Sequence, residues 1–304
     1  MDGGATSELR LASAPCTWGV WERTAGRDDL VPPERMLAVV RELGYRGIEL
    51  GPPGYLGSGP DEVARALEPY GLELAGAFAP LRIADEAGFR EDLAFLDRTV
   101  ATLAAAGSRG PVVLAGDENA LRLGVAGRPA ARAETSLRGA ELARAAGRVQ
   151  AAAERALERG VAAAFHPHTG TYVEGAEEVE ALLEATDPDV VGLAFDTGHA
   201  VVGGADPVAF ARDHRSRIAH LHLKDVDGAV LARVRAGEAG VEEAWAGGLF
   251  CPFGEGVVDV VGVLRELDGF GGWAVVEQDR VAVRLEDLGA VRAVEERNLA
   301  ALRG

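Results

Sequence analysis

Cysteine and long apolar runs are scarce in this sequence, and these scarcities argue against a disulfide-held fold and against a membrane span. Two cysteines, Cys16 and Cys251, occur among 304 residues, so disulfides are not expected to hold the fold and a reducing cytoplasm is the expected location. Residues 1–11 carry acidic side chains and lack the apolar segment of a signal peptide. No apolar run approaches the roughly 18 residues of a membrane span. We therefore expect no membrane partner.

The balance of charge is strongly acidic. Lysine and arginine together number 31 against 48 aspartate and glutamate residues, which gives a formal net charge of −17. A surface of this kind repels the phosphates of nucleic acids and the headgroups of anionic lipids. We therefore expect no nucleic-acid partner, and a metal-dependent nuclease is disfavoured for the same reason.

Short apolar runs alternate with amphipathic stretches about eight times along the chain. The apolar runs predict strands at Leu11–Cys16, Gly47–Leu50, Leu74–Phe78, Pro111–Leu114, Ala162–His166, Val191–Asp196, Ile218–Lys224 and Trp273–Glu277. The stretches between and after them predict helices at Pro32–Leu43, Asp61–Tyr70, Glu86–Ala106, Arg132–Arg159, Glu177–Glu184, Pro207–His214, Val257–Leu267 and Leu285–Leu302.

This alternation predicts an α/β fold with a parallel sheet, and eight repeats favour a closed (β/α)₈ TIM barrel. An open doubly wound sheet would more often show a glycine-rich phosphate loop after its first strand, and this sequence has none there. A barrel needs roughly 250 residues, so residues 1–304 are predicted to form a single domain. The connection at about 227–256 is longer than usual and is predicted to contribute a loop over the site. A homo-oligomer stays open.

The histidines are concentrated in one part of the sequence. All six lie between His166 and His222, and five of them stand at the ends of predicted strands. A barrel gathers the carboxyl ends of its strands onto one face, so these side chains are expected to converge. Mixed His, Asp and Glu ligands without cysteine suit one divalent ion such as Mn²⁺, Co²⁺, Zn²⁺ or Mg²⁺ and argue against a structural zinc.

Side-chain alternation along the seventh predicted strand places His220, His222 and Lys224 on one face. His222 is nearer the mouth and is the candidate ligand. His220 lies deeper, as either a hydrogen-bonded core residue or a support for the site. Lys224 could steady an oxyanion or protonate a leaving hydroxyl, or it could form an ion pair with Asp225 or a nearby acid.

Other candidates face the same mouth. Glu49 ends the second strand and is expected either to bind substrate hydroxyls or to be held by loop amides. Trp18 and Trp21 follow the first strand and are expected either to wall the pocket, since apolar sugar faces stack on aromatic rings, or to pack the barrel end. His199 and His168 are candidates for substrate contact or acid catalysis, with support of the residues around the site as the alternative.

Six segments carry a resemblance to a known family. They are Ala14–Val20, Gly44–Leu50, His166–Thr171, Asp196–His199, His220–Val226 and Gly272–Asp279. On these segments the sequence resembles the xylose-isomerase-like barrel superfamily, also described as sugar phosphate isomerases/epimerases, and within it the inosose dehydratases of inositol catabolism.

The resemblance implies four metal ligands at the ends of strands five to eight. Carried over residue by residue, these are His166, Asp196, His222 and Glu277. It also implies substrate contacts from His199 and from Lys224. Together with the candidates above, it predicts a catalytic set of Lys224, His199, His168 and Glu277, and substrate contacts from Glu49, Trp18, His199 and Lys224.

One departure from the superfamily decides the predicted activity. Many of its isomerases and epimerases have a glutamate where this chain has His166, and that glutamate is both ligand and base. A histidine bound to an ion through one nitrogen is poorly suited to that proton transfer, which favours a dehydratase. Pro167 stands between two histidines where the dehydratase pattern usually shows a run of histidines, so the substrate itself is left open.

The predicted function is therefore a metal-dependent lyase acting on a small polyhydroxylated ketone. The closest reading is dehydration of inosose (2-keto-myo-inositol) through α-proton abstraction and a metal-stabilised enediolate. The alternatives are a sugar or keto-inositol isomerase/epimerase and, less favoured, a non-catalytic barrel that binds a metal or a sugar.

Overall fold

The computed structural model describes residues 9–281 and 283–303. Residues 1–8, on which much of the expectation about a signal peptide rests, lie outside the described residues. Within the described ranges, no helix is long and apolar enough to cross a bilayer.

Eight parallel strands form the centre of the molecule. They are β1 (Arg10–Ser13), β2 (Gly47–Glu49), β3 (Glu73–Leu81), β4 (Val112–Gly116), β5 (Ala163–Phe165), β6 (Val191–Asp196), β7 (Ile218–Leu223) and β10 (Trp273–Val276). They close into a barrel because β1 pairs with both β2 and β10, and β10 in turn pairs with β7. The predicted single-domain α/β (β/α)₈ barrel is confirmed.

Helices surround the barrel, and a small antiparallel sheet of β8 (Asp225–Val226) and β9 (Phe250–Cys251) lies outside it. The helices are α1 (Pro33–Glu42), α2 (Pro60–Leu67), α3 (Glu86–Ala105), α4 (Ala120–Leu123), α5 (Pro129–Ala133), α6 (Ala140–Leu157), α7 (Ala176–Glu184), α8 (Thr197–Val202), α9 (Pro207–Asp213), α10 (Gly228–Ala236), α11 (Val241–Ala246), α12 (Val260–Glu266) and α13 (Leu288–Arg303). Short 3₁₀ turns occur at Pro15–Trp18, Glu68–Tyr70 and Leu285–Asp287.

The barrel strands read as continuous apolar runs because they are covered on both sides. Every residue of β4, β5 and β10 is buried. One side of such a strand packs inside the barrel and the other packs under the helices, so both sides need apolar residues. The polar side chains that follow these strands therefore emerge together at one end of the barrel.

The prediction of one long helix at Arg132–Arg159 is wrong. The structure has α5 ending at Ala133 and α6 beginning at Ala140. The hydroxyls of Thr135 and Ser136 donate to the Arg132 carbonyl at 2.9 and 3.2 Å. Short polar side chains that bond the nearby backbone in this way compete with the helix, which explains the break.

The long connection at 227–256 contains two helices, α10 and α11, that the sequence did not predict. Its ends are tied to the barrel by the buried carboxylate of Asp225. That carboxylate accepts hydrogen bonds at 2.8–3.1 Å from the backbone N–H groups of Val226, Gly254, Gly256 and Val258. The bounds of this segment as an insertion within the domain stay a prediction.

Candidate metal centre and active site

The carboxyl ends of the strands surround a cavity of about 280 Å³. It is smaller than most pockets for drug-sized ligands, which span about 300–1,000 Å³, so it suits a small molecule. Six of the predicted site residues line it: Glu49, His166, His168, His222, Lys224 and Glu277.

The structure brings the four predicted metal ligands together. His166, Asp196 and His222 each offer a ligand atom within 4.8 Å of the others. Glu277 adjoins this group, because its Oε2 lies 3.4 Å from Nδ1 of His222. All four side chains are buried. Two imidazoles and two carboxylates are therefore assembled from the ends of β5, β6, β7 and β10.

The donor atoms of this group fit a bound cation. Within the described part of the chain, Nδ1 of His166 and Nδ1 of His222 are buried without a hydrogen bond. Buried polar atoms are rarely left in this state unless an ion or water satisfies them. Burial, together with the nearby His222, His168 and Lys224, lowers the pKa of His166 well below its usual value. A neutral imidazole is the form that binds metals.

Glu49 orients the candidate ligand His222. Its Oε1 accepts from Nε2 of His222 at 3.1 Å and from Nε2 of His220 at 2.8 Å. With Nε2 of His222 engaged, Nδ1 is the nitrogen that faces Asp196 and Glu277. A carboxylate that fixes a ligating histidine is a recurrent feature of metal sites. Of the two alternatives for His220, the structure favours support of the site.

The site carries an excess of negative charge. Burial lowers the pKa of His222, but the charges of Glu277 and Glu49 outweigh it and raise this pKa to about 9. Burial also raises the pKa of Glu49, yet His222 and His220 hold it below its usual value. Both shifts arise because the carboxylates stabilise a positive charge on His222; a bound divalent ion would be stabilised by the same carboxylates and would displace that proton.

Lys224 offsets part of this negative charge, and it is the only lysine in the sequence. Its Nζ lies 2.8 Å from Glu277 Oε2, 3.0 Å from Asp196 Oδ2 and 3.3 Å from Asp279 Oδ2. Burial lowers the pKa of Lys224, but these carboxylates together raise it well above its usual value. The alternative of an ion pair is therefore present, but its partners are the nearby acids and not Asp225, whose carboxylate is engaged by backbone amides.

The segment Asp196-Thr197-Gly198-His199 builds this arrangement locally. Asp196 Oδ1 accepts the backbone N–H of His199 at 2.8 Å, which caps α8 and leaves Oδ2 facing Lys224. The Thr197 hydroxyl donates to the Lys224 carbonyl at 2.7 Å and accepts its N–H at 2.9 Å. A Cβ on Gly198 would lie only 2.7 Å from Cβ of Lys224 and 2.9 Å from the Phe250 ring.

His199 stands behind the cavity wall, where it contacts Lys224. Its Nε2 lies 3.4 Å from Lys224 Nζ, and its Nδ1 lies 2.8 Å from the Thr169 hydroxyl. The backbone N–H of Thr169 also points at Nδ1, at 3.4 Å, so the ring is held by Thr169 on one side and contacts Lys224 on the other. His168 does line the cavity, and its Nδ1–H donates to the Thr169 carbonyl at 3.0 Å. The contact of His199 with Lys224 favours the alternative of a supporting role, and its predicted substrate contact stays a prediction.

The structure corrects the position of Trp18. Its side chain is fully buried, and its indole N–H donates to Ser13 Oγ at 3.0 Å, so it packs the barrel end. Trp21 lines the cavity instead. Its ring meets the edge of Trp245 at 6.3 Å, and Trp245 lies 6.2 Å from the His168 ring.

Sequence reasoning missed two residues beside the site. Asp279 lines the cavity and contacts Lys224, and the alternation that selected Lys224 two positions after His222 would also have selected Asp279 two positions after Glu277. Trp245 lies on α11, in a stretch that was expected to be a loop, so no pattern pointed to it.

Known proteins resemble this chain over most of its length. The rhizopine catabolism protein MocC of Rhizobium meliloti is 36% identical over 90% of this chain and 82% of its own length. An inosose dehydratase of Geobacillus kaustophilus is 31% identical over 90% of this chain and 88% of its own length. The predicted resemblance to the inosose dehydratases is confirmed, and these relatives support the prediction of an enzyme of the lyase or isomerase class.

Solved structures show the same fold at low sequence identity. The probable 3-DHS dehydratase AsbF from Bacillus anthracis superposes with a TM-score of 0.71 at 17% identity, over 96% of this chain and 99% of its own. The IolI protein with a bound zinc atom has a TM-score of 0.69 at 17% identity, over 97% and 98%. The family model described as "Xylose isomerase-like TIM barrel" matches residues 37–296. The chain therefore belongs to the xylose isomerase-like TIM barrel family.

Proposed function

We propose that this protein is a divalent-metal-dependent lyase that dehydrates inosose or a closely related cyclic polyhydroxy ketone. The observation that carries the proposal is the convergence of His166, Asp196, His222 and Glu277 beside the ammonium of Lys224. The 31% sequence identity with an inosose dehydratase, which extends over 90% of this chain, supports the substrate class.

A divalent ion held by these four residues would supply Lewis-acid polarisation of the ketone oxygen and a neighbouring hydroxyl. Zinc bound in the related IolI structure makes Zn²⁺ one candidate, beside Mn²⁺, Co²⁺ and Mg²⁺. The nitrogen and oxygen donors of these four residues can bind each of these ions, with affinities that differ from one ion to the next.

Within this site the chain's own residues would divide the proton transfers between them. His168, with Nδ1–H engaged by the Thr169 carbonyl, has Nε2 free to take the proton from the carbon next to the ketone. Lys224 would give a proton to the hydroxyl on the following carbon. That hydroxyl leaves as water, and the electron pair of the broken C–H bond forms the new C=C bond. His199 would hold the Lys224 ammonium in place.

Aromatic side chains would bind the ring of the substrate. Trp21 lies in the cavity wall, and Trp245 packs edge-on against it. The apolar face of a cyclic polyol stacks on indole rings, while its hydroxyls need polar partners. Glu49 lines the same cavity and would contact hydroxyls in addition to orienting His222.

The activity is tested by incubating the purified protein with 2-keto-myo-inositol and each candidate metal in heavy water. Dehydration makes a conjugated product, so we expect ultraviolet absorbance to rise in a metal-dependent manner. Deuterium uptake without absorbance would show an epimerase instead. Neither change, across a panel of polyol ketones, would show a non-catalytic binding barrel.

The proposed role of Lys224 is tested with Lys224→Ala. We expect this variant to keep its metal and to lose most of its turnover, by about 100-fold, which is the usual range for one general acid. Metal content by elemental analysis and the absorbance assay measure the two effects separately. Unchanged turnover would leave Lys224 with a structural role only.

A further inference from the structure

Lys224 and the candidate metal ligands share the same oxygen atoms. Glu277 Oε2 lies 2.8 Å from Lys224 Nζ and 3.4 Å from His222 Nδ1. Asp196 Oδ2 lies 3.0 Å from Lys224 Nζ and 3.7 Å from His222 Nδ1. The ammonium and an ion bound by this group would therefore use the same two oxygens. Two cations that share buried oxygens repel each other strongly, because water screens buried charges poorly.

Asp279 is the remaining carboxylate in what we call the Lys224 cluster, which consists of Lys224, Asp196, Glu277 and Asp279. It is not one of the four candidate ligands, and its Oδ2 lies 3.3 Å from Lys224 Nζ. Asp279 lines the substrate cavity, as Glu277 does. An ammonium that leaves Asp196 and Glu277 for Asp279 would stay paired beside the substrate.

The backbone on both sides of Asp279 is held in place. The N–H of Gln278 donates to the Thr17 hydroxyl at 3.1 Å. The guanidinium of Arg280 donates to the Thr17 carbonyl at 2.7 Å and to the Gln278 amide oxygen at 2.6 Å. Asp279 is thus presented from a fixed segment, as a residue that positions another group should be.

The use of lysine at this one position fits a cation that moves between carboxylates. Of the 31 lysine and arginine residues, 30 are arginine and only Lys224 is lysine. A guanidinium is a planar fork that binds a carboxylate through two fixed contacts, whereas an ammonium is a compact charge on a flexible stem. Only the second can pass from one carboxylate to the next by small rotations of its side chain.

We propose that Asp279 is a positioning residue, which receives the Lys224 ammonium when a divalent ion takes Asp196 and Glu277. Binding of the ion and placement of the catalytic ammonium are then one event. This inference rests on the proposed metal site, and it adds a residue to which the sequence motifs assigned no role.

The affinity of the metal-free protein for Zn²⁺, measured by calorimetry, tests the proposal through a double-mutant cycle. Asp279→Asn leaves Lys224 competing for Asp196 and Glu277, so we expect Zn²⁺ binding to weaken about tenfold, within the range of measured couplings between contacting residues. In the Lys224→Met background the same change is expected to weaken binding less than about threefold. Lys224→Met alone is expected to bind Zn²⁺ more tightly than the wild type.

Glu118→Gln is the matched control for loss of one negative charge. Glu118 lines the same cavity but pairs with Arg23 instead of Lys224. We expect this variant to change the affinity for Zn²⁺ by less than about threefold in both backgrounds. Asp279→Glu, which keeps the carboxylate, is expected to bind nearly as tightly as the wild type.

The single lysine gives a second readout that does not depend on affinity. Protein labelled with ¹³C-lysine shows signals from one residue only. We expect the side-chain signals of Lys224 to shift as Zn²⁺ is added to the wild type, and to reach a different position in Asp279→Asn.

The outcomes separate this inference from the proposed function. A wild type that binds neither Zn²⁺ nor Mn²⁺ would overturn both. A wild type that binds them, with Asp279→Asn weakening binding equally with and without Lys224, would overturn this inference alone. So would Lys224 signals that stay unchanged at full occupancy by Zn²⁺.

Discussion

Two buried clusters of charged side chains lie near the mouth of the barrel, and they differ in how completely their charges are paired. The Lys224 cluster sets three carboxylates against one ammonium. The other, which we call the Arg122 cluster, consists of Arg122, Arg132, Glu174 and Glu178. It sets two guanidinium groups against two carboxylates.

In the Arg122 cluster the hydrogen-bonding groups are engaged. Arg122 donates through Nε to the Thr171 carbonyl at 2.7 Å and through Nη2 to both oxygens of Glu178 at 2.8 and 2.9 Å. The oxygens of Glu174 accept the backbone N–H groups of Gly127 at 2.8 Å and Gly170 at 2.9 Å. This cluster ties the segment of α4 and α5 to the loop that follows β5.

The Lys224 cluster differs from the Arg122 cluster in charge balance and in hydrogen bonding. Its oxygens face Nδ1 of His222, which lacks a hydrogen bond within the described residues, and its negative charge exceeds its positive charge. Balanced and fully bonded buried charges indicate a structural role. An excess of one sign, together with unpaired donor atoms, indicates a site that binds something.

The largest effect that would test this contrast is expected from Arg122→Met. Removing one partner from a buried, fully bonded ion pair costs about 3–5 kcal/mol in the free energy of unfolding. Urea denaturation measures this loss, and we expect that added Zn²⁺ does not restore the lost stability. Lys224→Met should also destabilise the metal-free protein, but saturating Zn²⁺ should restore most of that stability. If Zn²⁺ restored the free energy of unfolding of Arg122→Met, the proposed distinction between the two clusters would be wrong.

His222→Ala is expected to have the next largest effect, and on binding more than on folding. Loss of an outer partner of a metal ligand costs about 10–100-fold in affinity, so loss of a ligand should cost at least about 100-fold, together with the activity. His214→Ala is the control, because His214 packs against Phe210 away from the cavity. Full metal occupancy in His222→Ala would show that the ligand set is wrong.

A pair of glycine substitutions gives a smaller and more local test. In Gly198→Ala the new methyl group would press on Lys224 and Phe250, and overpacking of this kind costs about 1–3 kcal/mol. We expect a loss of turnover with it. Gly147→Ala, within α6, meets nothing within 4 Å and should stabilise the protein by about 0.5–1 kcal/mol. Thermal denaturation compares the two, and equal effects would contradict the steric argument.

The smallest effect is expected at the outer surface, where charges are paired but exposed. Hydrogen bonds from Arg155 and Arg159 lower the pKa of Asp97 to about 2. A lowered pKa in the folded state stabilises above the unfolded value of about 3.9, and this contribution disappears as the pH falls through about 2. Asp97→Asn should therefore cost less than about 1 kcal/mol at pH 7. The difference from the wild type should vanish in acid, and its persistence at low pH would contradict the assignment.

The sequence predicted the barrel and the convergence of its ligands because both depend on local patterns. An apolar run that ends in His166, Asp196, His222 or Glu277 shows in the sequence where each strand stops, and closure of the barrel then brings these ends together. The break between α5 and α6 depends on Thr135 and Ser136, whose hydroxyls could equally have faced solvent in one longer helix.

The partners of Lys224 and the place of Trp245 could not be read from the sequence for a different reason. Asp225 adjoins Lys224 in sequence, yet the loop at 254–258 takes its carboxylate, and that contact spans about thirty residues. Trp245 reaches Trp21 from a distant helix. Contacts of this kind depend on the packing of connections, which no local pattern encodes.

Because the single lysine is buried, cleavage of the chain at this residue can be used to measure local opening of the fold. A lysine-specific protease has one site to cut, after a residue that is 2% exposed at the centre of the barrel mouth. Cleavage must therefore wait for a fluctuation that uncovers this part of the fold, and its rate measures how often such openings occur. Ligands that close the mouth should slow that cut.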